Sequence, residues 1–342
     1  NDIRRTDEQR GVFGELSFAT SDTTELSIGA RWYDIQVDFE GSANSSFYNG
    51  FGNPDTQQFG SNLSAQYAPG NPNGYPDKAE TDGVIGKLTY SWKPSEDSMY
   101  YVTWSEGFRP GLLNRPVGRT SPDGSYTVPP AIDSDEITNY EFGWKNVLQD
   151  GRLRFNGSVF MVDVSGLQST IFDPSIVNLF FSDNAADAEI KGVEGDFVYF
   201  TEQGLILSGA FSFLDTEITK ALVPTNDVIV GQELAFAPGF QGNVSARKEW
   251  GLSGGNTGFW QAQFTMSDKS YSDIMGPNRA QQDSYNLVNV RGGISNDDWT
   301  AEMYVDNLTD ERAEISNTFV FDRQRIAIIR PMTVGFRYKL KF

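Results

Sequence analysis

The chain has 342 residues, with 27 Lys and Arg against 46 Asp and Glu, giving a formal net charge of −19. This acidity leaves no basic excess to neutralise phosphates, so no nucleic-acid partner is expected. Cys and His are both absent, which removes disulfides, Cys/His zinc sites, thiol nucleophiles and Ser-His-Asp triads; neither an enzyme activity nor a cofactor is expected.

No apolar run reaches the 18 or more residues of a transmembrane helix. A membrane β-barrel stays open, because its strands alternate apolar and polar residues. The 34 Gly, 25 Phe, 14 Tyr and 7 Trp favour one large all-β unit over two ordinary domains. The chain opens Asn1-Asp2-Ile3-Arg4-Arg5, with no Met and no apolar signal core, and is therefore expected to be processed or incomplete.

Taken in chain order, a first strand is expected near Gly11 to Ala19, followed by one in which Leu26, Ile28, Ala30 and Trp32 oppose Glu25, Ser27, Arg31 and Tyr33. Strands ending at Trp92 and running through Tyr100-Tyr101 come next. Tyr140, Phe142 and Trp144 then oppose Glu141 and Lys145, and Leu153, Phe155, Gly157, Val159 and Met161 face away from Arg152, Arg154, Asn156 and Ser158. The period-two pattern continues through Leu205 to Phe213, Trp260 to Met266, Val288 to Ile294 and Trp299 to Asp306. It is clearest at the end, where Met332, Val334, Phe336, Tyr338, Leu340 and Phe342 alternate with Thr333, Gly335, Arg337, Lys339 and Lys341.

About thirteen such segments, each near ten residues, suit tilted membrane-crossing strands better than the shorter strands of a sandwich. Aromatics at many strand ends fit an interfacial girdle. Tight links near Ser21 to Thr24, Lys93 to Asp97, Gln149 to Gly151, Glu202 to Gly204, Leu252 to Asn256 and Asn296 to Asp298 alternate with long ones. The long links are Gly41 to Thr81, Pro110 to Ser134, Gln168 to Ala186, Ile218 to Phe236, Tyr271 to Asp283 and Arg312 to Ala327. Outer-membrane barrels segregate short periplasmic turns from long extracellular loops in this way. The phase makes the first and last strands run in the same direction, so the set is odd, whereas a closed single-chain bacterial barrel is even. An odd number of further strands is expected on the N-terminal side.

The segments Gly11-Val12-Phe13-Gly14-Glu15-Leu16-Ser17 with Leu26 to Tyr33, Tyr101-Val102-Thr103-Trp104-Ser105-Glu106-Gly107-Phe108-Arg109-Pro110-Gly111, and Glu136 to Lys145 stand in a distinctive order. Ile190-Lys191-Gly192-Val193-Glu194-Gly195-Asp196, Val305-Asp306-Asn307-Leu308-Thr309-Asp310-Glu311 and the terminal Phe342 complete it. In this order the sequence resembles the C-terminal part of the β-barrel of a TonB-dependent receptor, over almost its whole length, residues 1–342. The resemblance implies an all-β, transmembrane, antiparallel up-and-down barrel of about 22 strands with a plug inside it. The other strands, the plug and the energy-coupling box would then lie outside this sequence. It further implies a multi-pass protein in the outer membrane of a Gram-negative bacterium. The implied partners are the TonB energy-transducing complex, outer-membrane lipid and a small-molecule ligand such as a ferric siderophore. The barrel-assembly machinery is a further implied partner, reading Phe342 as its signal; the alternative is that Phe342 only completes the lipid face.

Recognition groups concentrate on loops held by a rigid scaffold. The loop candidates are Tyr48, Phe51 and Tyr75, then Arg109, Asn114, Arg115 and Tyr126, and finally Tyr271 and Arg323. Aromatic rings among Asn, Gln, Gly and Ser can stack on a ring and bond hydroxyls or amides, although the same mixture also suits a loop that packs on itself. Arg109 has a second reading, as a structural partner of a lumen carboxylate such as Glu106 or Glu141. Asp306, Asp310 and Glu311 offer oxygen ligands, but their spacing matches no defined calcium loop and reads as a strand-end signature; no metal is expected. The function expected is energised uptake of a scarce nutrient. The alternatives are a receptor for an oligosaccharide or cobalamin, and a passive porin-like channel.

Overall fold

The structure, a computed structural model, describes residues 2–42, 78–114, 118–173, 175–176, 180–223, 227–320 and 323–340. In chain order the strands are β1 (Asp2–Ser21), β2 (Thr24–Ser42), β3 (Lys78–Ser95), β4 (Ser98–Arg109), β5 (Leu112–Leu113), β6 (Ala131–Ile132), β7 (Asp135–Leu148), β8 (Leu153–Ile171) and β9 (Phe181–Phe200). They continue as β10 (Leu205–Ala221), β11 (Phe240–Gly251), β12 (Thr257–Ser267), β13 (Ser270–Tyr271), β14 (Gln281–Gln282), β15 (Tyr285–Ser295), β16 (Trp299–Asp306), β17 (Glu314–Val320), β18 (Arg323–Ile328) and β19 (Thr333–Leu340). Thirteen of them form one sheet in the order β1-β2-β3-β4-β7-β8-β9-β10-β11-β12-β15-β16-β19. Every neighbour is antiparallel, as short turns between successive strands require. Among the described residues β1 and β19 are each paired on one side only.

The ladder registers explain how the alternation becomes a surface. Phe18 lies opposite Leu26, Leu26 opposite Tyr90, Tyr90 opposite Val102 and Val102 opposite Phe142. The row continues through Val159, Val193, Phe213 and Phe240. These side chains are largely uncovered: Phe18 is 51% exposed, Val102 55% and Phe213 51%. A band of this size is far larger than the apolar patches a water-soluble surface carries and suits hydrocarbon. The opposite face is polar and internally bonded. There the Tyr101 hydroxyl donates to Glu141 at 2.5 Å and the Arg337 guanidinium to Glu302 at 2.7 Å.

All six expected tight turns are present between successive sheet strands. At one of them Gln149, Asp150 and Gly151 stand in the left-handed region, at φ 55, 56 and 86°, which closes the β7–β8 hairpin. The strands differ from expectation in length, since β1 and β9 have 20 residues and β3 has 18. Antiparallel pairing continues past the apolar band because nothing in the charged alternation beyond it, Asp34 opposite Asp82 for example, breaks the ladder. The links after β2 and β8 are shorter than expected, those before β15 and β19 are longer, and three of the long links fold into hairpins, β5–β6, β13–β14 and β17–β18. Among the described residues no helix is long and apolar enough to cross a membrane, which says nothing against crossing by strands.

Candidate functional site

The buried apolar core sits among the long loops at one end of the sheet. Tyr126 and Val128 from the β4–β7 link, Ile171, Ile176 and Phe181 around the β8–β9 link, Val223 and Val228 after β10, and Ile274 and Met275 between β12 and β15 close over Ala185, Ala186 and Ile218. Four loops thereby become one packed layer. Burial of this kind contributes roughly 25 cal/mol per Å2 of apolar surface removed from water and holds the loop backbones in fixed places.

The β4–β7 link spans several strands. It turns back over the sheet, with β5 against both β2 and β3, where it covers Tyr33, Ile35 and Val37. Gly111 passes so close to the Ile132 carbonyl that a Cβ would stand 2.4 Å from the oxygen, and its own N–H donates to Thr81 Oγ1 at 3.0 Å. On the other flank the Asn114 amide donates to the Ser182 carbonyl at 2.7 Å and accepts from the Ser182 N–H at 2.7 Å, tying the link to β9. Asn184 completes the tie by donating to the carbonyls of Asp133 and Gly166. At the tip the Tyr126 hydroxyl donates to Asp183 at 2.6 Å. Burial, reinforced by this bond, raises the Tyr126 pKa well above the ordinary phenol value, and burial raises that of Asp183 above the usual carboxylate range.

The base of the link is pinned by an ion pair. Arg109 lies directly opposite Asp135 in the ladder. Its Nε donates at 2.7 Å, a terminal nitrogen makes a second bond, and its backbone N–H donates to the same carboxylate at 3.0 Å. The partners expected from sequence, Glu106 and Glu141, are not the ones used. Glu106 alternates to the opposite side of β4 from Arg109 and accepts the Gly86 N–H at 2.9 Å, while Glu141 takes the Tyr101 hydroxyl.

Two clefts flank this corner. One of about 350 Å3 is lined by Arg109, Gln168, Thr170, Leu234, Ser272 and Asp273. The other, of about 410 Å3, is lined by Arg5, Asp7, Arg31, Val37, Phe108 and Pro110. In the first, burial lifts the Asp273 carboxyl above its ordinary value, and the nearby Arg279 guanidinium is pushed down by its own burial. Arg279 donates to the carbonyls of Glu233 and Asp273 at 2.9 and 2.7 Å and stacks 3.9 Å from the Tyr271 ring centre.

The sequence candidates therefore separate by role. Arg109 lines a cleft while holding Asp135. Asn114 and Tyr126 are buried and fully engaged, which makes them ties of the loop layer. Tyr271 carries Arg279 over its ring, with Lys269 3.3 Å from its hydroxyl. Arg323 is exposed on β18. Tyr48, Phe51, Tyr75, Arg115 and Phe342 lie outside the described residues. Residues that sequence reasoning passed over, Asp135, Gln168, Asp183 and Asp273, are acidic or amide groups in ordinary polar stretches; only the register and the loop packing single them out.

The strand-end segment is also resolved. Asn307, at φ 53°, donates from its side chain to the carbonyls of Glu311 and Arg330 and accepts the Glu311 N–H at 2.8 Å. Asp310 meanwhile accepts the Met332 N–H at 2.9 Å. Among the described residues no group of three carboxylates converges as a metal site.

Comparison with known proteins follows the same architecture. The family model described as TonB dependent receptor-like, beta-barrel matches residues 1–308. Among solved structures, the ferric yersiniabactin uptake receptor FyuA from Yersinia pestis superposes with a TM-score of 0.74 at 17% identity, covering 99% of this chain and 46% of that one. The siderophore receptor PiuA from Acinetobacter baumannii gives 0.69 at 17% identity, covering 100% and 44%. The copper transporter OprC gives 0.72 at 13% identity, covering 99% and 48%. At these identities the likeness is one of fold, and the chain spans about half the length of each structure.

Proposed function

Since the chain belongs to the TonB dependent receptor-like β-barrel family, whose members are outer-membrane transporters rather than enzymes, we propose that it forms the C-terminal wall of an energised importer for a small molecule, a ferric siderophore before other nutrients. In this reading the thirteen strands are part of a barrel of about 22, closed by strands outside this sequence. A plug fills its lumen and TonB supplies the energy that displaces the plug.

The observation that carries the reading is the loop layer. A passive channel needs only an open mouth, whereas a receptor needs recognition groups held still. Here four loops share one core, and the Arg109–Asp135 pair fixes the corner between two clefts. Preorganised walls lower the entropy cost of binding. Arg109, Gln168 and Thr170 on one side, and Arg31 with Phe108 on the other, are the groups that would meet a chelate carrying anionic oxygens and aromatic rings. Tyr271 and Arg323 are further candidates on neighbouring loops.

The test is binding of a panel of ferric siderophores, the free ligands and cobalamin to the purified full-length receptor. Saturable binding of one ferric chelate, weakened by Arg31→Ala, is expected. No saturable binding to any member, with solutes still passing through the folded protein in vesicles, would favour the porin-like alternative.

A further inference from the structure

The wall is split on its loop side between β3 and β4. Their ladder runs from the tight turn only as far as Lys87 opposite Ser105, although both strands continue, β3 to Lys78 and β4 to Arg109. Fraying does not account for the gap, because each strand keeps its other neighbour: Lys78 still lies opposite Asp38 on β2, and Arg109 opposite Asp135 on β7. Glu106 marks the fork. Continuing the register would set it opposite Gly86, and its carboxylate accepts the Gly86 N–H at 2.9 Å, so that a side chain stands where the ladder would go on.

Beyond the fork the two sides overlap. Phe108 falls by alternation on the face of Val102 and Trp104, yet its ring stacks 3.7 Å from that of Tyr33 at an interplanar angle of 17°, and Tyr33 belongs with Arg31 and Ile35 to the inner face of β2. The end of β4, with β5 after it, thus lies across the inner side of a leaf made by the loop-side ends of β1, β2 and β3. Apolar contact fastens the layers: Tyr33, Ile35, Val37 and Ala79 of the leaf and Leu113 and Ile132 of the link are all buried. Among the described residues only two hydrogen bonds cross between them, the one at Gly86 and that from the Gly111 N–H to Thr81 Oγ1 at 3.0 Å. The cleft of about 410 Å3 lies in this joint, with Arg31, Ile35, Val37 and Ile85 from the leaf and Phe108 and Pro110 from the other side.

We propose that the leaf is a flap built into the wall: it swings about the end of the ladder at Lys87 and Ser105, is latched by the Tyr33–Phe108 stack, and so opens and closes the cleft between the layers. Apolar contact is non-directional and lets packed elements shift, whereas a continuous ladder has to break bond by bond. Within the leaf the β1–β2 and β2–β3 ladders continue past the fork without a break, which makes it move as one body. The unpaired edge that β3 presents at the split is covered by the link when the flap is seated, as an edge strand requires. The flap depends on no particular solute, and neither does its test.

Hydrogen exchange of the full-length receptor in lipid nanodiscs, read by mass spectrometry, supplies the first measurement. Swinging breaks the Gly86 and Gly111 bonds together, so these two amides are expected to respond alike. Phe108→Ala removes the latch, and Gly83→Ala displaces it, since its Cβ would stand 2.7 Å from the Tyr33 hydroxyl. Each should quicken exchange at both amides by about tenfold and leave Thr89 to Trp92, on the paired side of the fork, unchanged. The second measurement is the distance between spin labels at Val84→Cys and Glu136→Cys, on either side of the split, against a pair at Tyr90→Cys and Phe142→Cys across the intact ladders; this chain has no Cys of its own. Two distances are expected for the first pair and one for the second. Exchange at Gly86 and Gly111 that neither variant moves, or a single distance across the split as sharp as the one below it, would overturn the flap and leave a fixed joint. Faster exchange that spreads equally to Thr89 to Trp92 would overturn it too, because the whole wall would then have loosened. None of these outcomes bears on what is imported.

Discussion

Arg109 and Asp135 face each other across the β4–β7 ladder, and the carboxylate, 1% exposed, receives the Arg109 side chain and backbone N–H and also the Gln168 N–H at 3.3 Å. One buried acid thus joins β4, β7 and β8 where the β4–β7 link begins. Asp135→Ala is expected to cost about 2–3 kcal/mol, because several donors lose a buried acceptor. Arg109→Ala should cost about 1 kcal/mol, since that side chain is 52% exposed and solvent screens its share. Denaturant unfolding of the full-length receptor in lipid checks the order; equal small costs would show that the pair is ornamental.

The Tyr126–Asp183 tie gives the loop layer a pH dependence with a definite sign. Burial raises Asp183 above its ordinary 3.8, so what it contributes to stability is complete below that value and is lost as pH climbs through its raised pKa. Tyr126, raised above 10.0, keeps its proton across this range and begins to withdraw its own contribution only in strong alkali. Amide exchange at Tyr126 and Val128, corrected for intrinsic rates, should therefore quicken as pH rises above the ordinary carboxylate range, and Asp183→Asn should flatten that dependence. A flat profile in the parent protein would refute the assignment.

Asn307 combines a left-handed backbone, φ 53°, with three side-chain bonds that close the corner after β16. Asn307→Gly keeps the conformation and loses the bonds; Asn307→Ala loses both. The expected losses are about 1–2 and about 2–4 kcal/mol respectively. Asn307→Asp should fall near the alanine variant, because a carboxylate cannot donate to the Glu311 and Arg330 carbonyls. Thermal unfolding ranks the three, and an aspartate as stable as asparagine would contradict the geometry.

Gly143 leaves room for the Tyr101 ring, which would meet a Cβ at 2.2 Å, whereas nothing lies within 4 Å of a Cβ on Gly14. Gly143→Ala should displace Tyr101 from Glu141 and cost about 1–3 kcal/mol, while Gly14→Ala should be close to neutral. Refolding yield and unfolding midpoint of the two variants, compared in one lipid, test whether glycine on the inner face is there for the aromatic neighbour.

Much of this architecture was legible in the sequence, because period-two alternation is a local property. Met332 through Leu340 and Leu153 through Met161 declare their two faces residue by residue, and the tight turns punctuate them. Strand length was underestimated, since the pairing of Asp34 with Asp82 or of Glu40 with Arg4 beyond the apolar band depends on a partner strand and leaves no local periodic mark. The candidate site was less legible for the same reason. Arg109 stood out by its place before Pro110-Gly111, but its true partner, Asp135, is 26 residues away and is chosen by register. Tyr126 read as a loop candidate for ligand contact because nothing nearby in sequence foretells the core that four separate loops build around it.

The central claim is energised uptake, and it is tested most directly by accumulation of a radiolabelled ferric chelate in cells producing the full-length protein, with and without TonB. The account predicts saturable accumulation that falls to background when TonB is absent or the proton gradient is collapsed. Accumulation that persists unchanged without TonB, and that rises linearly with solute concentration, would contradict it and identify a passive channel.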